Sequence, residues 1–167
     1  MDFSATKFLV VGGYGAEKSV EMIDLEDSGN SCLFQDFPIG VTKGMGQQTP
    51  NGLFYCGGSQ SGHISDKCFK FEETKFVDAE FKLTKPRTEA SSVLYEDSFV
   101  VIGGWDRKVR LSDLEVVPEK QTMQFPNLNY EVSSSCAVVY KKHIIVTGGW
   151  TDSGQTYKMS IINSSTV

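Results

Sequence analysis

Both tryptophans of this sequence directly follow a pair of glycines, as Gly-Gly-Trp. Trp105 is followed within three residues by two basic side chains, Arg107 and Lys108, whereas Trp150 opens a polar segment. Tryptophan and arginine are the residues most enriched at binding hot spots, where they fill well-packed pockets of the partner. The sequence therefore predicts that these two segments recognise a binding partner.

A structural role is the alternative for the two tryptophans. Large aromatic side chains are most often packing residues, so Trp105 and Trp150 could instead wedge against neighbouring parts of the fold and hold their loops. The residue types alone leave both interpretations open.

Five basic residues lie in segments that alternating strand direction would bring to one end of the molecule: Lys85, Arg87, Arg107, Lys108 and Arg110. The chain as a whole is acidic, with a formal net charge of −5. A local basic patch on such a protein would suit an acidic peptide or a carboxylate. We expect Tyr14 and His63 at the same end as further binding residues. For the arginines, a solvated rim without a ligand is the alternative.

The charge balance and the hydropathy argue against two classes of partner, nucleic acids and membranes. A sequence pI of about 5.0 lacks the basic footprint of a general nucleic-acid or anionic-membrane binder. No apolar run approaches the roughly 20 residues that a membrane-spanning helix needs. We therefore expect a protein or peptide partner, and neither a nucleic acid nor a membrane.

Side chains suited to catalysis are sparse. His63 and His143 are the only histidines, which excludes a site with three histidine ligands. His143 adjoins a predicted turn at the opposite end from His63, so the two side chains are not expected to meet. We expect no catalytic residue, no metal and no cofactor.

The four cysteines show no paired CxxC spacing typical of zinc sites: Cys32, Cys56, Cys68 and Cys136. Cys56 ends one predicted strand and Cys68 begins the adjacent one, so a disulfide between them is geometrically conceivable. Their counterparts in the other repeats are mostly apolar residues, which favours free, buried thiols that act as small hydrophobes. The redox state and the compartment stay open, with the cytoplasm favoured over the extracellular space.

Four glycine pairs organise the whole chain: Gly12-Gly13, Gly57-Gly58, Gly103-Gly104 and Gly148-Gly149. Their first glycines are 45, 46 and 45 residues apart, and each pair closes a short apolar run. A period this regular is typical of stacked copies of one unit, each too small to bury its own apolar surface.

The apolar runs read as β-strands. Residues 8–11 are apolar at every position, which predicts a strand covered on both faces, as in a sheet between two other sheets. No long segment has an apolar period near 3.6, so helix should be rare. The sequence predicts an all-β chain with about four strands per unit and units of about 7–40, 41–86, 87–127 and 128–167.

These units resemble kelch repeats. The resemblance rests on the apolar run that ends in a glycine pair, on the segment 20–24 (VEMID) after the first loop, and on Pro86-Arg87 before an inner strand. It implies four-stranded antiparallel blades of a β-propeller around a central channel. The sequence departs from the kelch pattern in two ways. The usual outer-strand tryptophan is absent, and valines stand at the positions matching Arg87, namely Val41 and Val132.

The predicted strands do not complete a ring. The chain begins with the second strand of one blade and ends after the third strand of another, which leaves about three and a half to four blades. Since both terminal pieces supply the same strands, they cannot combine into one proper blade, and their unpaired edges would invite aggregation. We expect a portion of a longer propeller, with a compact four-bladed ring as the alternative.

Alternating strand direction places the loops after the glycine pairs and the connections between units at the same end of the predicted propeller. The kelch resemblance implies a protein-binding adaptor or scaffold that uses these loops, so an enzyme is not expected. One alternative is a propeller enzyme of the sugar-modifying or oxidase kind. The other is a structural fragment whose partner is the remaining blades of a longer propeller.

Overall fold

The structure is a computed structural model that describes residues 6–27, 31–118, 123–156, 158–163 and 165–166. Within these ranges every regular element is a β-strand, and all strand pairs are antiparallel. The prediction of an all-β chain is confirmed. No helix long and apolar enough to span a membrane is found in the described ranges.

Each of the first two sheets has one of the first two glycine pairs between its strands. The first sheet pairs its strands in chain order, Lys7–Val11 (β1), Val20–Asp24 (β2) and Ser31–Leu33 (β3). The second sheet begins with Met45–Thr49 (β4) and Gly52–Cys56 (β5), and a small separate hairpin follows, Ser59–Gln60 (β6) and His63–Ile64 (β7). It is completed by Lys67–Glu72 (β8) and Lys75–Lys82 (β9).

The third and fourth sheets each pair three strands. The third contains Ser91–Tyr95 (β10), Ser98–Ile102 (β11) and Leu114–Val117 (β12), and Met123–Gln124 (β13) follows it. The fourth contains Cys136–Tyr140 (β14) and His143–Thr147 (β15), then the hairpin Trp150–Thr151 (β16) and Gly154–Gln155 (β17), then Met159–Asn163 (β18). Ser165–Thr166 (β19) pairs with β13. The described residues therefore give four strands in one sheet only, because β13 pairs outside the third sheet.

Two-residue turns join the first two strands of the second, third and fourth sheets. Glu96 and Asp97 connect β10 to β11 with φ of 44° and 62°. Two successive positive φ values give the hairpin turn whose twist matches that of the flanking strands. The register then aligns Ser91 with Ile102 and Tyr95 with Ser98, which places alternate apolar side chains of β10 and β11 on opposite faces.

Successive sheets pack face to face. One apolar cluster joins the first and second sheets around Phe37, Val41 and Phe69. A second cluster joins the second and third sheets, and a third joins the third and fourth sheets. The core is therefore divided into three layers, each between two consecutive sheets.

Coverage on both faces is confirmed for β11 and is wrong for β1. Phe99 and Val101 pack toward the second sheet and Val100 toward the fourth, and all three are completely buried. In β1, by contrast, Phe8 and Val10 are 52% and 46% exposed. The two strands have the same apolar pattern, but no sheet in the described residues precedes the first one.

The first three glycine pairs are required because consecutive units approach each other there. The amide of Gly104 donates to the carbonyl oxygen of Val132 at 2.8 Å, and the amides of Gly13 and Gly58 make the equivalent bonds to the next connection. A Cβ on Gly103 would lie 2.5 Å from the same Val132 oxygen. Gly103 also has φ of +59°, which L side chains rarely adopt.

Cys56 and Cys68 form a disulfide, so the prediction of free thiols is wrong for this pair. They face each other directly in the register of β5 and β8, which outweighs the apolar character of their repeat counterparts. Cys32 and Cys136 are free and exposed. Because disulfides persist in oxidising environments, the bond weighs against the cytoplasmic expectation.

Candidate functional site

Backbone bridges hold both tryptophans at one end of the molecule. Trp105 exchanges two hydrogen bonds with Thr88, at 2.8 and 3.0 Å, and Trp150 exchanges two with Ser133, at 2.8 and 2.9 Å. Thr88 and Ser133 lie in the connections that lead into the same units. The loops after the glycine pairs and these connections therefore lie at the same end, and we call them together the loop cluster.

The two tryptophans differ in exposure. Trp150 is 50% exposed at the start of the β16–β17 hairpin. Trp105 is less exposed, and its backbone also bridges to Arg110 across its own loop. The two backbone hydrogen bonds fix the main chain of Trp150, and its half-exposed side chain offers apolar surface from that position. Of the two, Trp150 is the better placed to contact a partner.

A tight turn presents the two basic residues that follow Trp105. One carboxylate oxygen of Asp106 accepts the amides of Lys108 and Val109 at 2.8 and 2.9 Å. The bond from the Val109 amide is the main reason that the pKa of Asp106 is lowered. Arg107 has φ of 89° at the centre of this turn, and both Arg107 and Lys108 are exposed. The turn thus holds Asp106 as an anion against backbone amides and places Arg107 and Lys108 at the surface.

Arg107 lies beside the hairpin of the preceding unit. A Cβ on Gly62 would lie 3.8 Å from an Nη atom of Arg107, which places the guanidinium against the β6–β7 turn. His63 follows Gly62 and is exposed. The structure therefore brings Arg107 to the hairpin that carries His63, as the sequence predicted for this end of the molecule.

Arg110 links the loops of the third and fourth units. Its Nη1 lies 2.5 Å from Oδ1 of Asp152, and its Nε donates to the hydroxyl of Ser133 at 3.3 Å. Ser133 is the backbone partner of Trp150. The side chain of Arg110 therefore supports the connection that positions Trp150, and its charge is matched by a neighbouring carboxylate.

Arg87 is not a surface residue, so its assignment as a binding residue is wrong. Its side chain is completely buried, and Nη2 donates to carboxylate oxygens of Asp113 and Glu115, each at 2.8 Å. Nη1 donates to the carbonyl of Gly103 at 3.0 Å. The equivalent positions of the other units are interior as well, because Val41 and Val132 are also completely buried. Two valines at the matching positions marked this place as interior.

Lys85 and Tyr14 remain on the surface of the loop cluster. Lys85 is about half exposed, 3.7 Å from the carboxylate of Asp113. Tyr14 is fully exposed in the loop of the first unit. Between this loop and that of the second unit lies an open cavity of about 500 Å³ lined by Glu17, Lys18, Pro38, Ile39, Gly40, Gln60 and Ser61.

Comparison with known proteins shows the fold only. No family model matches the sequence, and no curated protein matches it. The chain is similar in structure to YjhT. Their TM-score is 0.71 over 89% of this chain, with 11% sequence identity, and the chain spans about half, 51%, of the length of YjhT.

The described residues contain no group of three or more histidine, cysteine, aspartate or glutamate side chains placed to hold a metal ion. His143 lies at the far end of the fourth sheet, where its Nδ1 hydrogen-bonds to Oδ1 of Asn163. His63 lies in the loop cluster. The two histidines therefore do not converge on one site.

Proposed function

We propose that the chain is an incomplete kelch-type β-propeller that binds an acidic peptide segment of a protein partner through its loop cluster. The observation that carries this proposal is Trp150, half exposed on a backbone that two hydrogen bonds hold to Ser133. Because the backbone at Trp150 is already held, ordering it on binding costs little conformational entropy. Tryptophan side chains are the usual anchors of binding hot spots.

The charges around the two tryptophans support an acidic ligand. Arg107 and Lys108 are exposed, and the one carboxylate of their turn, Asp106, is occupied by backbone amides. Arg110 is already paired with Asp152. Among the described residues, no salt bridge involves Arg107 or Lys108, which lie next to the His63 hairpin, and an acidic side chain of the ligand would pair with them.

Binding to arrayed peptides tests the proposal. Acidic peptides should be retained, and the same peptides with Lys and Arg in place of Asp and Glu should not. Replacing Trp150 by alanine should weaken retention of the acidic peptides at least tenfold, because hot-spot truncations cost about 2 kcal/mol or more. Leu25→Ala is the matched control, since Leu25 is also exposed but follows β2 at the other end of its sheet.

Ionic strength separates charge recognition from apolar adhesion. Raising the salt concentration from about 0.1 M to about 1 M shortens the Debye length from roughly 10 Å to roughly 3 Å and should weaken the binding. Equal retention of acidic and basic peptides, or an affinity that Trp150→Ala leaves unchanged, would refute the proposed site.

A propeller enzyme is the alternative function, and it requires catalytic side chains that converge. The two histidines lie apart, and no observation among the described residues favours a reaction centre. A metal analysis of the purified chain together with an activity screen on glycans would detect such an enzyme.

A further inference from the structure

The fourth sheet exposes the same kind of apolar face that the third sheet buries. Val138, Tyr140 and Ile161 are 55%, 59% and 60% exposed. They are aligned by the repeat with Val93, Tyr95 and Val116 of the third sheet, which are 6%, 2% and 7% exposed because the fourth sheet covers them.

These exposed residues form one continuous surface. The register places Val138 opposite Ile145, and Ile145 opposite Ile161, across the three strands β14, β15 and β18. Met159, 62% exposed, lies two residues before Ile161 on the same face. We call this surface the trailing face, because in the third sheet the equivalent surface contacts the sheet that follows.

The first sheet exposes the opposite kind of face. Phe8 and Val10 are aligned by the repeat with Phe99 and Val101, which are buried against the second sheet. Ile23 and Leu33 lie on the same side of this sheet. Ile23 pairs directly with Phe8. Leu33 is in line with Val10, because Glu21 on the middle strand pairs with both. We call this surface the leading face, because in the third sheet its equivalent contacts the sheet that precedes.

Every junction inside the chain joins a trailing face to the leading face of the next sheet. The two faces left over are therefore one of each kind. All three junctions between the described sheets join a trailing face to a leading face, so the two exposed faces suit each other. None of these junctions joins two faces of the same kind. Within one copy they belong to the first and the last sheet of the series.

We propose that a second copy of this chain covers both faces. The trailing face of each copy packs on the leading face of the other, which gives a two-fold symmetric dimer with two equivalent contacts. A two-fold arrangement closes and leaves neither apolar face open, whereas repeated head-to-tail contacts that do not close form filaments.

This inference uses the equivalence of the repeats and does not depend on peptide binding by the loop cluster. Sedimentation of the purified chain over a range of concentrations tests it directly. The expected species has twice the monomer mass of 18.4 kDa. A folded chain that stays monomeric at all concentrations would overturn the proposal, and the occupant would then be sheets supplied by other polypeptide.

Two charge substitutions test which faces meet. Phe8→Glu alters the leading face and Ile161→Glu the trailing face, and each alone should abolish the dimer, because either change damages both contacts. Both positions are more than half exposed in one copy, so circular dichroism should show an intact fold. Val109→Glu, at a residue 49% exposed in the loop cluster, is the control and should leave the dimer intact.

Mixing the two variants provides the decisive measurement. A heterodimer of Phe8→Glu and Ile161→Glu chains has one contact with both substitutions and one contact with none. The mixture should therefore recover measurable dimer that neither variant forms alone. If Phe8→Glu leaves the dimer intact, or if the mixture stays monomeric, the contact between leading and trailing faces is wrong. Peptide retention is a separate readout, so its failure and the failure of the dimer are distinguishable.

Discussion

The third and fourth sheets have nearly the same sequence pattern and very different surroundings. In the third, Val100 and Ile102 are completely buried between two neighbouring sheets. In the fourth, Thr147 stands at the position of Ile102 and is exposed, and Ile161 is 60% exposed at the position of Val116. A strand's apolar pattern therefore records the surface that it is suited to contact, while its actual burial depends on whether a neighbour is present.

The first sheet, at the other end of the series of sheets, also shows that burial depends on whether a neighbouring sheet is present. Phe8 is equivalent to Phe99, yet one is 52% exposed and the other is completely buried. The same residue type at the same register position thus has two environments in one molecule. Such pairs allow the stability provided by stacking to be measured with matched substitutions.

The largest expected contrast is between alanine substitutions at these two phenylalanines. Phe99→Ala removes a completely buried ring and should lower the free energy of unfolding by about 3–5 kcal/mol, as large-to-small core substitutions do. Phe8→Ala should cost less than about 1 kcal/mol, because much of the ring is already in water. Urea denaturation of both variants measures the difference.

The comparison should be made at a dilution where the wild-type chain sediments as a monomer, so that association does not add to the stability. Equal losses at the two positions would show that Phe8 is covered within a single copy. That result would contradict the assignment of β1 to an open end of the stack.

The junction between the second and third sheets differs from the other two by its buried cation. Arg87→Met should lower the free energy of unfolding by about 3 kcal/mol, because Asp113 and Glu115 would lose the guanidinium that neutralises them. The side chain of Glu115 is only 9% exposed, so water cannot replace the lost partner fully. Chemical denaturation of the purified variant measures the effect.

A second variant separates charge from packing at this junction. Adding Asp113→Asn and Glu115→Gln to Arg87→Met removes the unpaired charges and should restore at least about 1 kcal/mol. If Arg87→Met alone is as stable as the wild type, the ion pairs do not hold this junction. In that case valine, as found at positions 41 and 132, would stabilise a junction as well as arginine does at position 87.

Much of the fold could be predicted because the glycine pairs mark each unit independently of its surroundings. The apolar runs that end at the glycine pairs are the strands β1, β5, β11 and β15, as predicted, since an apolar run closed by a turn is a local feature. The short hairpins β6–β7 and β16–β17 were predicted only as loops. Their two-residue strands leave no periodic pattern to detect.

The remaining differences depend on contacts that are distant in sequence. The valines at the positions equivalent to Arg87 indicate an interior position, but the carboxylates that pair with Arg87 lie 26 and 28 residues later in the chain, and no local pattern identifies them. The pairing of Cys56 with Cys68 depends on the register of β5 and β8. At the candidate site, the positions of Trp150, Arg107 and His63 at one end could be predicted from alternating strand direction. Which tryptophan is more exposed could not, because that depends on loop packing.

The smallest expected contrast compares the first glycines of the third and fourth pairs. Both have positive φ, +59° at Gly103 and +69° at Gly148, so alanine should cost roughly 1–2 kcal/mol of backbone strain at each. At Gly103 the new Cβ would also meet the Val132 oxygen at 2.5 Å, whereas at Gly148 the nearest atom is a Thr156 oxygen at 3.9 Å. Gly103→Ala should therefore be the less stable variant by about 1–3 kcal/mol, the usual cost of overpacking. Thermal denaturation of the two alanine variants measures this. Equal destabilisation would mean that a neighbouring unit closes on Gly148 in solution as Val132 closes on Gly103.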